Sequence, residues 1–466
     1  MSSRNWNQST AALKIRLQQA LDAGRPIWAR PWIAPTAWTS GQTIQVGEVR
    51  KNSATPAQWY IAAAQGGVCG AIEPSQTNGS AVWDGTANAS VLWTHLGSSA
   101  DWDNADDPAA PTLTATGSTS VPSGYVSFNP WANRQLLTVR GAYLTQHAGS
   151  GTGIALYTFD SKSGTTVAGG SGIAFMSDAT GISFQVPASV QGIRVYVDGR
   201  PVSMSAIGPN QGGWYYHTIA FGKRKERLWE VFFGKDTAAI YNIAIPSNAQ
   251  IWPAPSVVPL VGAFIGDSYL QGSGYGPFLD GNTLSGHVGR LIGIDNMWRF
   301  GTGGTGLLNP GSGPFYTYRE RLPQVLAQSP NVILVQGSTN DASYTQAQVN
   351  TEALALLDAI RAATTAPVFW FGPAPLSGGY SSIQIVDTAI ATAVAARPNS
   401  NIFYKSLVTS VPPVFIGSHN NTNFTAFSTI GEYIGGDNVH PVDKGTMYLA
   451  RRMASAYANE MLPLVV

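Results

Sequence analysis

VVPLVGAFIGDS (257–268) is an apolar stretch that ends abruptly on a Gly-Asp-Ser turn. Two later segments repeat the pattern. NVILVQGSTND (331–341) is an apolar run closed by polar residues, and APVFWFGPAP (366–375) is another. Runs apolar at every position, not at alternate ones, are strands buried on both faces. Between and after them lie helical patterns over about 318–328, over QAQVNTEALALLDAIRAA (346–363), over 383–396 and from about Val442 to Asn459. Apolar strands alternating with helices predict a parallel sheet covered on both faces. In such sheets ligands sit beyond the carboxyl ends of the strands.

Upstream of Pro253 the texture is different. The segments 136–144, 182–187, 193–202, 215–222, 228–234 and 241–246 read as β-strands, with Asp198-Gly199 as a hairpin turn. Strands at this spacing without a helix predict a two-sheet sandwich over 106–253. Residues 28–97 are short β segments punctuated by Gly, Pro, Asn and Ser, and DWDNADDPAAP (101–111) reads as a linker. A helix is expected over 9–24, with Leu13, Ile15, Leu17, Ala20 and Leu21 at near-helical spacing and Gly24 as its stop. The expected division is a helix plus small β module over 1–105, a sandwich over 106–253 and an α/β domain over 254–466.

Composition narrows the function. Charged residues are 11% of the 466, about half the usual share, and Gly contributes 51 positions. With 44% apolar residues and 14 Trp, the chain folds around cores. A net charge of +1 argues against nucleic acid as a partner. No apolar run reaches the roughly 18–20 residues of a bilayer span. The N-terminus has no secretory h-region. One cysteine, Cys69, excludes an intrachain disulfide and a thiolate metal cluster. These features fit a protein folded in a cytosol and used outside it.

The strand ends collect reactive residue types. Ser268 follows the first strand. Gly301, Gly303, Gly304 and Gly306 lie in RFGTGGTG (299–306). Asn340 and Asp341 follow the 331–336 strand, and GGDNVHP (435–441) carries Asp437 and His440. A serine hydroxyl is a weak nucleophile until a base takes its proton. His440 is the candidate base, and Asp437 the carboxylate that holds its tautomer. The Ser268 and Gly304 backbone N–H groups and the Asn340 amide are candidate donors to an oxyanion, with Gly303 as the alternative to Gly304. Asp341 is read as a loop brace. The chemistry calls for no metal and no cofactor. His95, His147, His217, His287 and His419 lack ligand spacing. The acidic run Asp101, Asp103, Asp106 and Asp107 lacks the glycine and distal Glu of an EF-hand. Lys223, Arg224, Lys225 and Arg227 are read as the wet face of a hairpin.

Over about 255–466 the sequence resembles the SGNH (GDSL-like) hydrolases. Gly266-Asp267-Ser268, Gly303-Gly304-Thr305-Gly306, Ser338-Thr339-Asn340-Asp341 and Asp437-x-x-His440 stand in the order of that family's four blocks. Ser338 occupies the third block's glycine position, with Gly337 one place earlier. The resemblance implies a flavodoxin-like α/β/α fold, Ser268 as nucleophile, His440 as base, Asp437 orienting it, and an oxyanion hole of Ser268, Gly304 and Asn340. No G-x-S-x-G occurs, so the α/β-hydrolase elbow is absent.

Trp38, Gly47, Tyr60, Gly66, Pro74, Asp84-Gly85 and Trp93 resemble a small aromatic module of phage tail fibres and carbohydrate-binding proteins. Its rings serve either as sugar platforms or as core. A sandwich followed by an SGNH domain is similar to carbohydrate esterases in which a jelly roll precedes the catalytic domain. Together the resemblances imply a phage or prophage tail protein that removes acyl groups, above all O-acetyl, from a bacterial surface polysaccharide. The implied partners are that glycan and other tail proteins, through the N-terminal region, in a homotrimer located on the virion or outside the cell. The competing readings are a non-catalytic receptor-binding tail protein and a lipid or aryl esterase.

Overall fold

In a computed structural model the described residues are 3–22, 31–45, 47–77, 81–99, 110–147, 151–162, 166–168, 172–187, 192–208, 212–234, 239–255, 260–272, 283–374, 380–398, 400–409 and 433–462. Gly24, residues 101–109 of the linker with its acidic run, and His419 lie outside them.

The C-terminal region is built on five parallel strands. Their spatial order is Asn296–Gly301, Val261–Gly266, Val332–Gln336, Val368–Phe371, Ile402–Lys405. Each apolar run alternates between two cores. Phe264, Leu334, Phe369 and Phe371 join the core under the helices Leu284–Leu291 and Asp443–Met461. Ala263, Ile265, Ile333, Val335, Val368 and Trp370 join the core under Gln346–Ala363 and Tyr380–Ala395. A side-chain period of two on a strand buried on both sides explains why these segments are apolar at nearly every position, Gln336 at a strand end being polar. The helix Gln346–Ala363 starts where Thr345 and Gln348 form a capping box. The expected helix over 318–328 shortens to Leu322–Ala327, because Pro323 sits in its first turn.

The middle region holds three antiparallel sheets. One of four strands has the order Tyr143–Gln146, Ile154–Asp160, Thr166–Ala168, with Ala239–Ile240 also beside Ile154–Asp160. The other two face one core. One has the order Thr138–Arg140, Gly172–Ser177, Arg227–Phe233, Ile193–Val197, Arg200–Pro201, with Ile251–Pro253 beside Gly172–Ser177. The other has the order Thr112–Ala115, Tyr215–Ala220, Gly181–Val186, Asn242–Pro246, Tyr125–Phe128. Phe175, Val195, Trp229 and Val231 of the first interleave with Ile182, Phe184, Ile219 and Ile243 of the second. Asp198 and Gly199 (φ 53° and 79°) turn the chain so that Val197 pairs with Arg200, the positive-φ pair a two-residue hairpin requires.

One expectation is corrected here. Lys223, Arg224, Lys225 and Arg227 do not lie on a hairpin, because Tyr215–Ala220 and Arg227–Phe233 belong to different sheets. The segment crosses from sheet to sheet. Arg224 pairs with Asp178, and Arg227 is buried with its guanidinium 4.3 Å from the centre of the Phe221 ring. The described side chains of the N-terminal helix, Ser3–Asp22, reach the C-terminal domain. Leu13 and Leu17 enter the core of the C-terminal domain beside Leu284 and Val288. Its buried stripe is Leu13, Leu17 and Ala20, while Ile15 and Leu21 are exposed. Spacings of four and three put the first set on one face and leave the others off it.

The small module is a five-stranded sheet in the order Thr36–Ala37, Val49–Lys51, Gln58–Gln65, Leu92–Ser98, Val82–Trp83. Tyr60 and Trp93 are core, and buried Asp84 accepts the Trp93 indole N–H at 2.8 Å and the Trp38 indole N–H at 3.3 Å. Those two rings therefore brace the module, and among the described tryptophans of residues 31–99 Trp32, Trp38 and Trp83 are half-exposed.

Candidate active site

Three side chains from two ends of the C-terminal domain meet beyond the strand ends. Strand Val261–Gly266 runs into Asp267, whose carboxylate accepts the Tyr269 N–H at 3.0 Å and starts the short helix Ser268–Gln271. That turn lifts the Ser268 hydroxyl off the strand end. His440 Nε2 lies 2.8 Å from Ser268 Oγ, across 172 residues of chain. His440 Nδ1 lies 2.6 Å from Asp437 Oδ2. The other Asp437 oxygen accepts the backbone N–H groups of Val439 and His440, each at 3.0 Å. Burial works to raise the Asp437 pKa, yet the hydrogen bonds from His440 and Val439 prevail and hold it below the usual carboxylate range. The Tyr269 hydroxyl donates to Val439 O and ties the histidine loop to the serine helix.

The glycine loop stands opposite. Gly304 adopts φ +75°, a left-handed conformation that suits glycine. The Gly303 N–H is taken by the Gln271 side-chain oxygen. Among the described residues no acceptor takes the N–H of Gly304 or of Ser268. Asn340 sits in the turn Thr339–Asp341 after the third strand, and its amide donates one hydrogen to Thr305 O at 2.9 Å. Asp341 is fully buried and accepts the N–H groups of Leu307, Leu308 and Asn309 at 2.7, 3.2 and 2.9 Å. A Cβ on Gly306 would lie 2.3 Å from Ser338 Oγ and 2.6 Å from both Asp341 oxygens, so this loop closes only on glycine. Burial raises the Asp341 pKa against those hydrogen bonds.

Two buried charges lie beneath the serine turn. Burial pushes Asp267 up to about 6, against the Tyr269 N–H and the charges of His440 and Arg321. Arg321 is fully buried and lowered to about 10 by the same desolvation. Sequence reasoning singled out neither Arg321 nor Gln271. Gln271 is one helical turn after the serine, a position that carries a signal. Arg321 lies in an ordinary polar segment, TYRERLPQ (317–324), and carries none.

Among the described residues no group of three or more His, Cys, Asp or Glu is placed to hold a metal ion. Among them also, no helix is long and apolar enough to cross a membrane.

Residues 264–446 match the GDSL-like Lipase/Acylhydrolase family. Among solved structures, a salicylyl-acyltransferase, SsfX3, from a tetracycline biosynthetic pathway is 13% identical with a TM-score of 0.51, over 74% of this chain and 99% of its own. A family two carbohydrate esterase from Cellvibrio japonicus is 13% identical with a TM-score of 0.50, over 75% and 99%. A putative GDSL-like lipase from Bacteroides ovatus is 15% identical with a TM-score of 0.50, over 76% and 98%. No curated protein matches the chain.

Proposed function

The C-terminal domain is a GDSL-like acylhydrolase, a hydrolase of ester bonds, and from that premise we propose that the protein removes O-acetyl groups from a carbohydrate by a Ser-His-Asp mechanism. The observation that carries the reading is the continuous row Asp437 Oδ2, His440 Nδ1, His440 Nε2, Ser268 Oγ, with contacts of 2.6 and 2.8 Å.

In this mechanism Ser268 Oγ attacks the acetyl carbon and its proton passes to His440 Nε2. Asp437, ionised and held by two backbone donors, stabilises the imidazolium. The new oxyanion takes the Ser268 and Gly304 N–H groups and the Asn340 amide hydrogen not bound to Thr305. Gly304 is preferred to Gly303, whose N–H is already used. The bond from the acetyl carbon to the sugar oxygen then breaks as His440 protonates that oxygen, freeing the sugar hydroxyl and leaving the acetyl group on Ser268. Water, deprotonated by the same imidazole, releases acetate and restores the serine.

The sheet order, second-first-third-fourth-fifth strand, favours the flavodoxin-like reading of this domain. The pair of facing sheets in the region ahead of it favours a jelly roll. A carbohydrate as the acyl carrier is supported by the likeness of fold to the Cellvibrio japonicus carbohydrate esterase. A bacterial polysaccharide as substrate, a place in a phage or prophage tail and a trimeric state rest on the resemblance of the aromatic module alone. The test is acetate release from an acetylated polysaccharide and p-nitrophenol release from its acetate ester. Both should vanish in Ser268→Ala, with no fluorophosphonate adduct left at position 268. Undiminished hydrolysis by that variant refutes the mechanism.

A further inference from the structure

Resting on the reading of Ser268 as nucleophile and Gly304 as oxyanion donor, we infer that Arg321 is the positioning residue that sets the spacing between them. Its guanidinium is spent on neutral acceptors. Nη1 donates to Gly266 O at 2.7 Å and to Phe300 O at 2.6 Å. Nη2 donates to Tyr316 O at 2.8 Å and to Thr305 Oγ1, and Nε donates to Tyr316 O at 3.0 Å. Gly266 is two residues before Ser268, on the strand that delivers it. Phe300 is on the neighbouring strand, which runs into the glycine loop. Thr305 Oγ1 in turn donates to Thr302 O at 2.6 Å, and the Thr302 N–H reaches Gly266 O at 3.3 Å. The fork therefore grips the nucleophile strand and both ends of the loop that holds Gly303 and Gly304. Thr305 O also receives the Asn340 amide, which places the third oxyanion donor on the same brace.

The choice of residue is informative. A fully buried cation with no carboxylate in ion-pair contact among the described residues is costly. Neutral side chains can satisfy one or two carbonyls more cheaply. A planar guanidinium alone offers several donors at fixed angles, and a lysine ammonium cannot reproduce them. Holding the attacking oxygen and the oxyanion donors at one separation is a task for such a rigid fork.

The test uses the full chain with Arg321→Lys and Thr305→Val, checked for folding by circular dichroism and thermal unfolding. With p-nitrophenyl acetate, kcat should fall roughly 10- to 100-fold in both variants while KM stays within about twofold. The inhibition constant of benzeneboronic acid, which forms a tetrahedral adduct on a catalytic serine, should rise by the same factor as kcat falls. A parent-like kcat in Arg321→Lys means that charge alone suffices and overturns the inference. So does a loss of stability with kcat and boronate binding unchanged. If Arg321→Lys does not fold, Thr305→Val decides, and a parent-like kcat there is fatal. If the parent neither hydrolyses the ester nor labels at Ser268, the catalytic reading itself fails and the inference falls with it.

Discussion

Replacing Asp437 with Asn changes one atom and hardly any shape, yet it is expected to nearly abolish turnover. Asp437 Oδ1 faces two backbone N–H groups at 3.0 Å, and Oδ2 faces His440 Nδ1 at 2.6 Å. The backbone donors dictate how an amide must lie, with its oxygen toward them and its NH2 toward the ring. The opposite rotamer sets NH2 hydrogens against two N–H groups and leaves both unsatisfied, at roughly 1–3 kcal/mol each. An NH2 facing Nδ1 requires a lone pair there, so the ring proton moves to Nε2. Nε2–H then points at Ser268 Oγ and cannot accept its proton. In a well-studied serine protease the same tautomer trap lowers kcat about 10⁴-fold, or ~5.4 kcal/mol of barrier. The assay is p-nitrophenyl acetate hydrolysis near neutral pH, with KM expected to stay close to the parent value because substrate contacts are untouched. An Asp437→Asn variant that keeps more than a tenth of the parent kcat refutes the tautomer argument.

Two further outcomes follow from the geometry. Asn340→Ala should lower kcat by about 10²- to 10³-fold with little change in KM, since in the proposed mechanism it removes one oxyanion donor; a matched rise in KM would assign Asn340 to ground-state binding instead. Buried His217 is lowered by desolvation from 6.5 to about 4. Its folded pKa lies below its unfolded one, so its neutral form favours the fold above pH 6.5 and that contribution, roughly 3 kcal/mol, is lost as pH falls toward 4. Proton NMR should place its titration midpoint near 4, and a midpoint near 6.5 would remove burial as the cause.

The parts of this fold that were legible in the sequence are those where one local constraint dominates. The strands Val261–Gly266, Val332–Gln336 and Val368–Phe371 are buried on both faces and so announce themselves as apolar runs, broken only by Gln336 at the end of the second. The strand Asn296–Gly301 is harder to see, because Arg299 interrupts its apolar run. The edge strand Ile402–Lys405 is short and half-buried. Ser268, Asp437 and His440 were legible because each lies where a strand end or a loop before a helix must present a polar group. Arg321 was not, because its partners are backbone carbonyls, which any sequence supplies. The destination of the N-terminal helix was hidden for a related reason. An amphipathic stripe states that a surface will be covered but not by what, and here the cover lies some 270 residues away in the chain.

The same long-range logic argues that the sandwich is a structural part of the catalytic unit and not a tethered accessory. Glu230 of the sandwich pairs with Arg140, and Arg290 of the helix Leu284–Leu291 reaches to 3.6 Å from the same carboxylate oxygen. The Arg290 guanidinium also lies over the rings of Tyr196 and Phe232, at 4.2 and 4.8 Å from their centres. Phe159 sits in the catalytic domain's core, 5.7 Å from the centre of Phe300. Asp443, three residues beyond His440, is fully buried and pushed up to about 6 by desolvation, with the charge of buried Arg194 opposing the shift. Taking Glu230 away would leave the Arg290 guanidinium without its carboxylate, and removing one partner from a buried pair costs up to about 3–5 kcal/mol, a large share of the stability of a whole domain. Withdrawing the sandwich would strand Arg290, remove the Arg194 charge that opposes the Asp443 shift and bare the Phe159 site, so the catalytic domain should not survive alone. Calorimetry of the full chain is therefore expected to show sandwich and catalytic domain melting in one transition, with esterase activity lost across it. Two separated transitions, or an active fragment beginning near residue 254, would mean that these cross-domain contacts contribute little and that the His440 loop is held by its own domain.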